Sequence, residues 1–414
     1  TAGAPGGVRP ADGDHLEELG GDGVVNFLDK ITLNPPVPLK KGIAYPFIEM
    51  ANVGSYQREP ENVDTKVYSS GSRFADGDTI IARITPCLQN GKGFYCHNIG
   101  EGFGSTEFIV LRPKDQTVDS RYLYYLMQTN YIREKMIKSM VGASGRQRVN
   151  NDVFTSIDIS FPKIEIQRRI ADILSAYDDL IENNRKQIKL LEEAAQRLYK
   201  EWFVDLRFPG YEHTKITDGV PEGWDIRAVS DFGKVITGKT PSTSKPEYYG
   251  GNIPFVTIPD MHNTIFPLST EKYLSKQGAN TQKNKFLPPH SVMVSCIATV
   301  GLVNITCDLC QTNQQINSVI LKDEKELYFF YFAMKRIKSL LDGVGSNGAT
   351  MTNVNKTKFE NIRILYPESY LGNHFFELCH PIFQKILILS KENQYLQQAR
   401  DRLLPKLMSG EVEV

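Results

Sequence analysis

The stretch "IQRRIADILSAYDDLIENNRK", residues 166–186, decides how the rest of the chain is read. It is the core of a longer run, from about Ile164 to Val204, that contains no Gly and no Pro, the residues least compatible with a helix interior. Apolar side chains recur in steps of mainly four and three: Ile166, Ile170, Ile173, Tyr177, Leu180, then Asn184, then Ile188, Leu191, Ala195, Leu198 and Trp202. That spacing predicts a coiled-coil seam. A helix of roughly forty residues is ~60 Å long at about 1.5 Å per residue. Alone it would leave its seam in water.

A second seam lies near the C-terminus: Phe375, Cys379, Ile382, Ile386 and Leu389, then Asn393, Leu396, Leu403 and Leu407. Shifting the first seam by about 209 residues places Ile166 on Phe375, Leu180 on Leu389 and Asn184 on Asn393. Two helices with matching seams can bury them against each other. Antiparallel pairing is favoured, because parallel pairing would make the two preceding domains collide. Asn184 and Asn393 then fall near the pseudo-two-fold axis, where a buried polar residue can fix register. The alternative is that each faces solvent at a local shift of the pattern.

The duplication extends beyond the helices. "FADGDTIIARI" (74–84), "STEFIVL" (105–111), "YLYYLM" (122–127) and "GASGRQRVNNDVFTSIDISFP" (142–162) follow one another in the first half. "FLPPHSVMVSCI" (286–297), "QINSVIL" (315–321), "YFFYFAM" (328–334) and "GSNGATMTNVNKTKFENIRILYP" (345–367) follow in the same order in the second, offset by about 205–212 residues. A period this long excludes a solenoid. Short β-branched runs between Gly, Asn and Pro predict strands. The aromatic segments 120–140 and 324–342 predict one helix in each half, and Pro162 and Pro367 close a last strand.

The predicted fold class is therefore α+β: two similar α/β domains separated by two long helices that form an antiparallel coiled coil, with a pseudo-two-fold internal repeat. The boundaries read as an N-terminal segment 1–23, disordered or artificially added; domain 1 over 24–162; a central helix over 163–205; a linker over 206–224; domain 2 over 225–367; and a terminal helix over 368–414.

The chain has 414 residues and a formal net charge of zero. Balanced charge excludes a histone-like binder but allows local basic faces. No apolar run is long enough for a membrane span. The six cysteines are scattered, and Cys307 and Cys310 form the one CxxC, a poor zinc signal without a second pair. "NPP" at Asn34–Pro36 resembles part of an adenine-methyltransferase tetrapeptide, but Val37 stands where an aromatic is needed. No Gly-rich cofactor loop accompanies it, so no catalytic residue and no metal site is assigned.

"QRRIADILSAYDDLIENNRKQIKLLEEAAQRLYKEWFVDLRFPG" (167–210) resembles the central conserved helix of the specificity (S) subunit of type I restriction–modification enzymes, and "QQARDRLLPKLMSGEVEV" (397–414) resembles that family's C-terminal conserved helix. "GDTIIARITPCLQNGKGFY" and "GSTEFIVLRP" look like one class of its target recognition domains, and "PEGWDIRAVSDFGKVITGKTPS" (221–242) like the usual start of the second. The resemblance covers nearly the whole chain from about residue 24. It implies a non-catalytic, cytoplasmic protein in which each domain reads half of a bipartite double-stranded DNA target and the helices set the unread gap. It implies two methyltransferase subunits carrying S-adenosylmethionine as partners, and an optional pair of restriction subunits using ATP and Mg. A reading from another class is a non-enzymatic coiled-coil adaptor with two protein-binding domains.

DNA contact needs donors for phosphates and flat amide or guanidinium groups for base edges. In domain 1 the candidates are Arg83, Gln89, Asn90 and Lys92; Ser105 and Thr106; and Arg146, Gln147, Arg148 and Asn150. In domain 2 they are Lys239, Thr240 and Lys245; Gln311, Thr312, Asn313, Gln314 and Gln315; and Asn347, Thr350, Thr352, Asn353 and Lys356. Polar Gly-rich loops can also be plain turns. The third loop has a shared layout in both halves, which suits phosphate better than base choice, and Arg148 and Lys356 are its phosphate candidates. The aromatics of 122–127 and 328–334 read as packing. Trp202 and Phe203 read as an anchor, for a partner or within the chain.

Overall fold

The computed structural model describes residues 23–337, 339 and 353–414. The segment expected to be disordered, 1–23, lies outside these residues except for Gly23, and so do the candidates Asn347, Thr350 and Thr352. The chain divides into two compact units. One is Asn184–Glu392. The other joins residues 23–183 to Asn393–Val414. Each unit holds one α+β domain, half of the central helix (Ile164–Phe203) and half of the terminal helix (Ser369–Ser409).

In the unit of residues 23–183, a four-stranded antiparallel sheet runs Ile31–Leu33, Phe108–Pro113, Thr79–Ala82 and Gly93–Tyr95. Thr79–Ala82 is buried along its whole length, as a β-branched run covered on both faces should be. A second sheet runs Asp64–Val67, Ala44–Ile48, Gly102–Gly104 and Ser72–Phe74, with a parallel step at Phe47–Phe103. Val24–Asn26 closes on Asp158–Ser160.

The unit Asn184–Glu392 repeats this plan. Its four-stranded sheet runs Gly233–Thr237, Ile316–Leu321, Val292–Ser295 and Val303–Ile305. Its second sheet, of three strands, runs Lys272–Leu274, Tyr249–Val256 and Gln311–Thr312, with the parallel step at Phe255–Gln311. Asp225–Ala228 closes on Arg363–Tyr366. The internal repeat of the sequence is thus a repeat of topology.

The segment 120–140, expected as one helix, is two: Ser120–Leu126 and Asn130–Lys138. Asp119 caps the first by accepting from Arg121 N (3.0 Å) and Tyr122 N (3.1 Å). It ends where the Thr129 hydroxyl donates to the Leu126 carbonyl at 2.7 Å, a local bond that competes with the helical ladder. Tyr122, Leu123, Tyr124 and Tyr125 are buried, as are Tyr328 to Phe332 in the other unit, so these aromatics are core. Trp202 and Phe203 also pack within the chain, against Phe375 at 6.1 and 5.0 Å between ring centroids.

The helices pair antiparallel. Beside residues 164–183 the terminal helix descends as the central one rises: Asn393 donates to the Ile181 carbonyl (3.4 Å), Arg400 pairs with Asp178, and the Val414 carbonyl accepts from Arg169 (3.1 Å). The buried face differs from the expected seam. Ile170 is buried, but Ile166, Ile173 and Tyr177 are half-buried and Leu180 is 49% exposed. Gln167, Ala171, Leu174, Asp178 and Ile181 take the inner places instead. On the terminal helix Phe375, Ile386 and Leu389 are buried, while Ile382 is half-buried beside the buried Phe383. Asn184 and Asn393 are both buried.

The shift has a chemical cause. Asp178 is fully inside because it accepts from the Tyr125 hydroxyl (2.6 Å) and pairs with Arg400, whose guanidinium also donates to the Tyr56 carbonyl (3.2 Å). One turn on, Glu182 is buried against Arg58, which donates to it from Nε at 2.9 Å and to Asp179 at 2.5 Å. Burial pushes the Glu182 carboxyl up to about 7 against the pull of Arg58. An apolar-periodicity reading assigns such charges to the outside.

Candidate nucleic-acid interface

Domain 1 gathers its three loops at one end of the four-stranded sheet. Thr79–Ala82 runs into Arg83, whose backbone N–H donates to the Glu107 carbonyl (2.9 Å) and whose carbonyl accepts from Val149 N (2.9 Å). Ile84 bridges Arg148, and Thr85 N donates to the Gln147 carbonyl at 2.9 Å. The loops after one strand, before its neighbour and before the closing strand are therefore sewn together by main-chain bonds.

The candidates differ in what they can offer. Asn90, Thr106 and Arg146 are exposed, and Gln147 is half-buried. Arg148 is held by Glu107: Nε lies 3.0 and 2.9 Å from the two carboxylate oxygens and Nη2 2.6 Å from Oε1. The Arg148 guanidinium keeps the Glu107 carboxyl below its usual range. Arg83 donates to the Val149 carbonyl (3.2 Å), Lys92 to the Met50 carbonyl (3.0 Å), and Gln89 lies half-buried against Thr85 and Met140. Ser105 Oγ accepts from Glu107 N (3.2 Å) and Asn150 Oδ1 from Asp152 N (3.1 Å), so both shape turns. Asn34 of the "NPP" is also structural: its Oδ1 accepts from Val110 N at 3.0 Å.

Domain 2 is sewn in the same way. Cys296 N donates to the Gln315 carbonyl and Val354 N to the Cys296 carbonyl, each at 2.8 Å, and Ile297 bridges Asn353. The two phosphate candidates, Arg148 and Lys356, therefore do not occupy equivalent places: the structural counterpart of Arg148 is Asn353. Gln311, Thr312 and Asn313 are buried. Gln311 donates to the Ala279 carbonyl (3.0 Å) and accepts from Gln282 (2.8 Å), and so braces the sheet. Gln314 and Lys239 are exposed, Thr240 donates to Gln314 (2.7 Å), and Lys245 sits by the Tyr248 hydroxyl (3.2 Å). Lys356 meets Glu360 at 3.3 Å.

Two residues were missed by the sequence reading. Glu107 lies inside a stretch read as strand, and its partner Arg148 is 41 residues away. Lys285 precedes Leu287 in "TQKNKFLPP" and carried no signal. Partial burial, then the charges of Lys356 and Lys239, push the Lys285 ammonium below the usual lysine range. Gln282 links the two segments, donating to the Lys239 carbonyl at 2.7 Å. Among the described residues no carboxylate neutralises Lys285.

Two domains of one plan, each presenting sewn polar loops at a sheet end, have the build of a two-site recognition protein. The sequence matches the family described as "Type I restriction modification DNA specificity domain" over residues 28–193 and again over 221–398. The chain belongs to this family, and its role is that of a specificity subunit. It is 32% identical to the HindI specificity subunit of Haemophilus influenzae, over 89% of this chain and 95% of that one. It is 29% identical to the MjaIX specificity subunit of Methanocaldococcus jannaschii, over 73% of this chain and 71% of that one. The solved S subunit from M. genitalium shares the fold, with a TM-score of 0.53 at 15% identity over 93% of this chain and 95% of that one. No helix among the described residues is long and apolar enough to cross a membrane.

Proposed function

We propose that each domain reads one half of a bipartite double-stranded DNA target through its sewn loops, and that the paired helices set the unread gap and carry two methyltransferase subunits. The observation that carries this reading is the recurrence of one loop scaffold, with exposed polar side chains, in a family of DNA-specificity domains. The chain itself catalyses nothing in this reading. S-adenosylmethionine belongs to the methyltransferase partners, and ATP and Mg to restriction subunits where those join. The setting is the cytoplasm, where the DNA and these partners meet. The adaptor alternative finds no support in the family match.

Phosphate contact falls to lysines. Lys239 and Lys285 lie near the sewn loops of domain 2, with Lys356 beside them although it also meets Glu360, and like charges held together suit an anion that arrives with the ligand. The test is selection of bound duplexes from a randomised pool by the complex assembled with its methyltransferase subunits. Two short sequence blocks at one fixed separation are expected. Enrichment of a single uninterrupted block, or none from an assembled complex, overturns the reading.

A further inference from the structure

The two domains can be compared place by place because equivalent backbone N–H bonds and bridges recur. Glu107 N donates to Ser105 Oγ (3.2 Å) where Gln315 N donates to Asn313 Oδ1 (3.1 Å). The Glu107 carbonyl accepts from Arg83 where that of Gln315 accepts from Cys296. The bridges Ile84–Arg148 and Ile297–Asn353 also coincide. Glu107 and Arg148 thus stand at the backbone places that Gln315 and Asn353 hold in the other domain, where no side-chain hydrogen bond joins the two among the described residues. The backbone is shared and the side chains differ in kind: an ion pair in one domain, two neutral amides in the other.

We propose that Glu107–Arg148 and Gln315–Asn353 are the positions at which the two domains choose bases, Arg148 reading a guanine edge and the amides of Gln315 and Asn353 an adenine edge. The inference rests on the DNA-recognition reading and deepens it. Three observations support it. First, the scaffold demands neither pair, since it is built from main-chain bonds. A phosphate contact would serve either half-site equally and gives no reason for the side chains to change, whereas base choice does.

Second, the Glu107 carboxylate cancels the charge of Arg148 and would repel a phosphate brought against it. The same bond fixes the guanidinium plane, because two nitrogens are occupied by one carboxylate. Nη1 makes no hydrogen bond among the described residues, so the fork is held with donors to spare. A planar, oriented guanidinium suits O6 and N7 of guanine.

Third, Gln315 is oriented as well. Asn313 Nδ2 donates to its Oε1 at 3.0 Å, which leaves the Nε2 donors and the second lone pair of Oε1 to the ligand, and Asn353 is exposed. Amides offer a donor and an acceptor side by side, as adenine N6 and N7 require. Both pairs are neutral overall, so neither adds sequence-independent attraction.

The experiment maps the methylated motif produced by the complex of this chain with its methyltransferase partner. It compares the unaltered chain with the double variant Glu107→Gln/Arg148→Asn, which installs the amides of the other domain, and with Arg148→Lys. The double variant should change preference at one position of one half-site, with discrimination there altered about tenfold to a hundredfold. The other half-site, the gap and the salt slope of binding should stay as they were. Arg148→Lys keeps the charge and loses the fork, so it too should lose discrimination. An unchanged motif with uniformly weaker binding and a shallower salt slope would make Arg148 a phosphate contact and overturn the proposal. So would an unchanged motif at unchanged affinity. If the double variant does not fold, Arg148→Lys decides alone: retained discrimination overturns the proposal. A split motif absent already from the unaltered chain would defeat the DNA-recognition reading instead.

Discussion

Arg148 and Lys285 show how residue chemistry divides the work of binding. Arg148 is neutralised by Glu107 and oriented by it, while Lys285 has like charges for neighbours. Lys285→Gln is therefore expected to weaken binding to every duplex alike and to reduce the salt slope by about one. Titrations of the assembled complex by fluorescence anisotropy at several salt concentrations check this, and a changed sequence preference at an unchanged slope would contradict it. The loops that the main-chain bonds bring together were legible in the sequence as Gly-rich stretches of polar, planar groups. Their availability was not. Gln311 and Gln314 look alike in "QTNQQ", yet Gln311 is fully buried and Gln314 exposed. What separates them is a neighbouring segment around Ala279 and Gln282, distant in sequence. Glu107 escaped for the same reason, since its meaning comes from a partner across the loop cluster.

At the scale of the element, both long helices were legible because periodicity, length and the absence of Gly and Pro agree. Which residues face inward was only partly legible. Leu180 is exposed and Asp178 buried because the inner face of this stretch is organised by Arg400, Tyr125 and Arg58. Breaking that pair from one side strands a buried charge. Arg400→Leu is thus expected to destabilise the fold by about 3–5 kcal/mol, and adding Asp178→Leu should restore much of the loss. Chemical denaturation of the two variants measures this, and a single variant as stable as the unaltered chain would show that the pair contributes nothing. The asparagines give the opposite expectation. Asn184 and Asn393 are buried, and a buried polar side chain in a helix seam costs stability while it fixes register. Replacing both with Leu should raise stability by roughly 1–2 kcal/mol at the expense of register; a lower unfolding temperature would show that these amides are well satisfied. The break between Leu126 and Asn130 had no sequence signal strong enough to read, since no Gly or Pro marks it.

The whole molecule was most legible in its repeat. Matching strings in matching order announced two copies of one α+β plan; the four-stranded antiparallel sheets bear the same strand order, and the second sheets do so except at Ser72–Phe74, which has no counterpart among the described residues. The compact units were less visible, because each takes half of both helices and so joins residues far apart in sequence: the two helices pass from one unit to the other at Asn184 and at Asn393. A linear reading sees domain, helix, domain, helix. Antiparallel pairing rearranges these into two composite bodies. The central claim is that one chain carries two DNA-reading domains whose targets are joined by a fixed gap. Its most direct test is methylome sequencing of cells co-expressing this chain with its methyltransferase subunit. The account predicts one new adenine-methylated motif of two short blocks at a constant spacing. No methylation from a complex shown to be assembled, or methylation at one undivided motif, would contradict it.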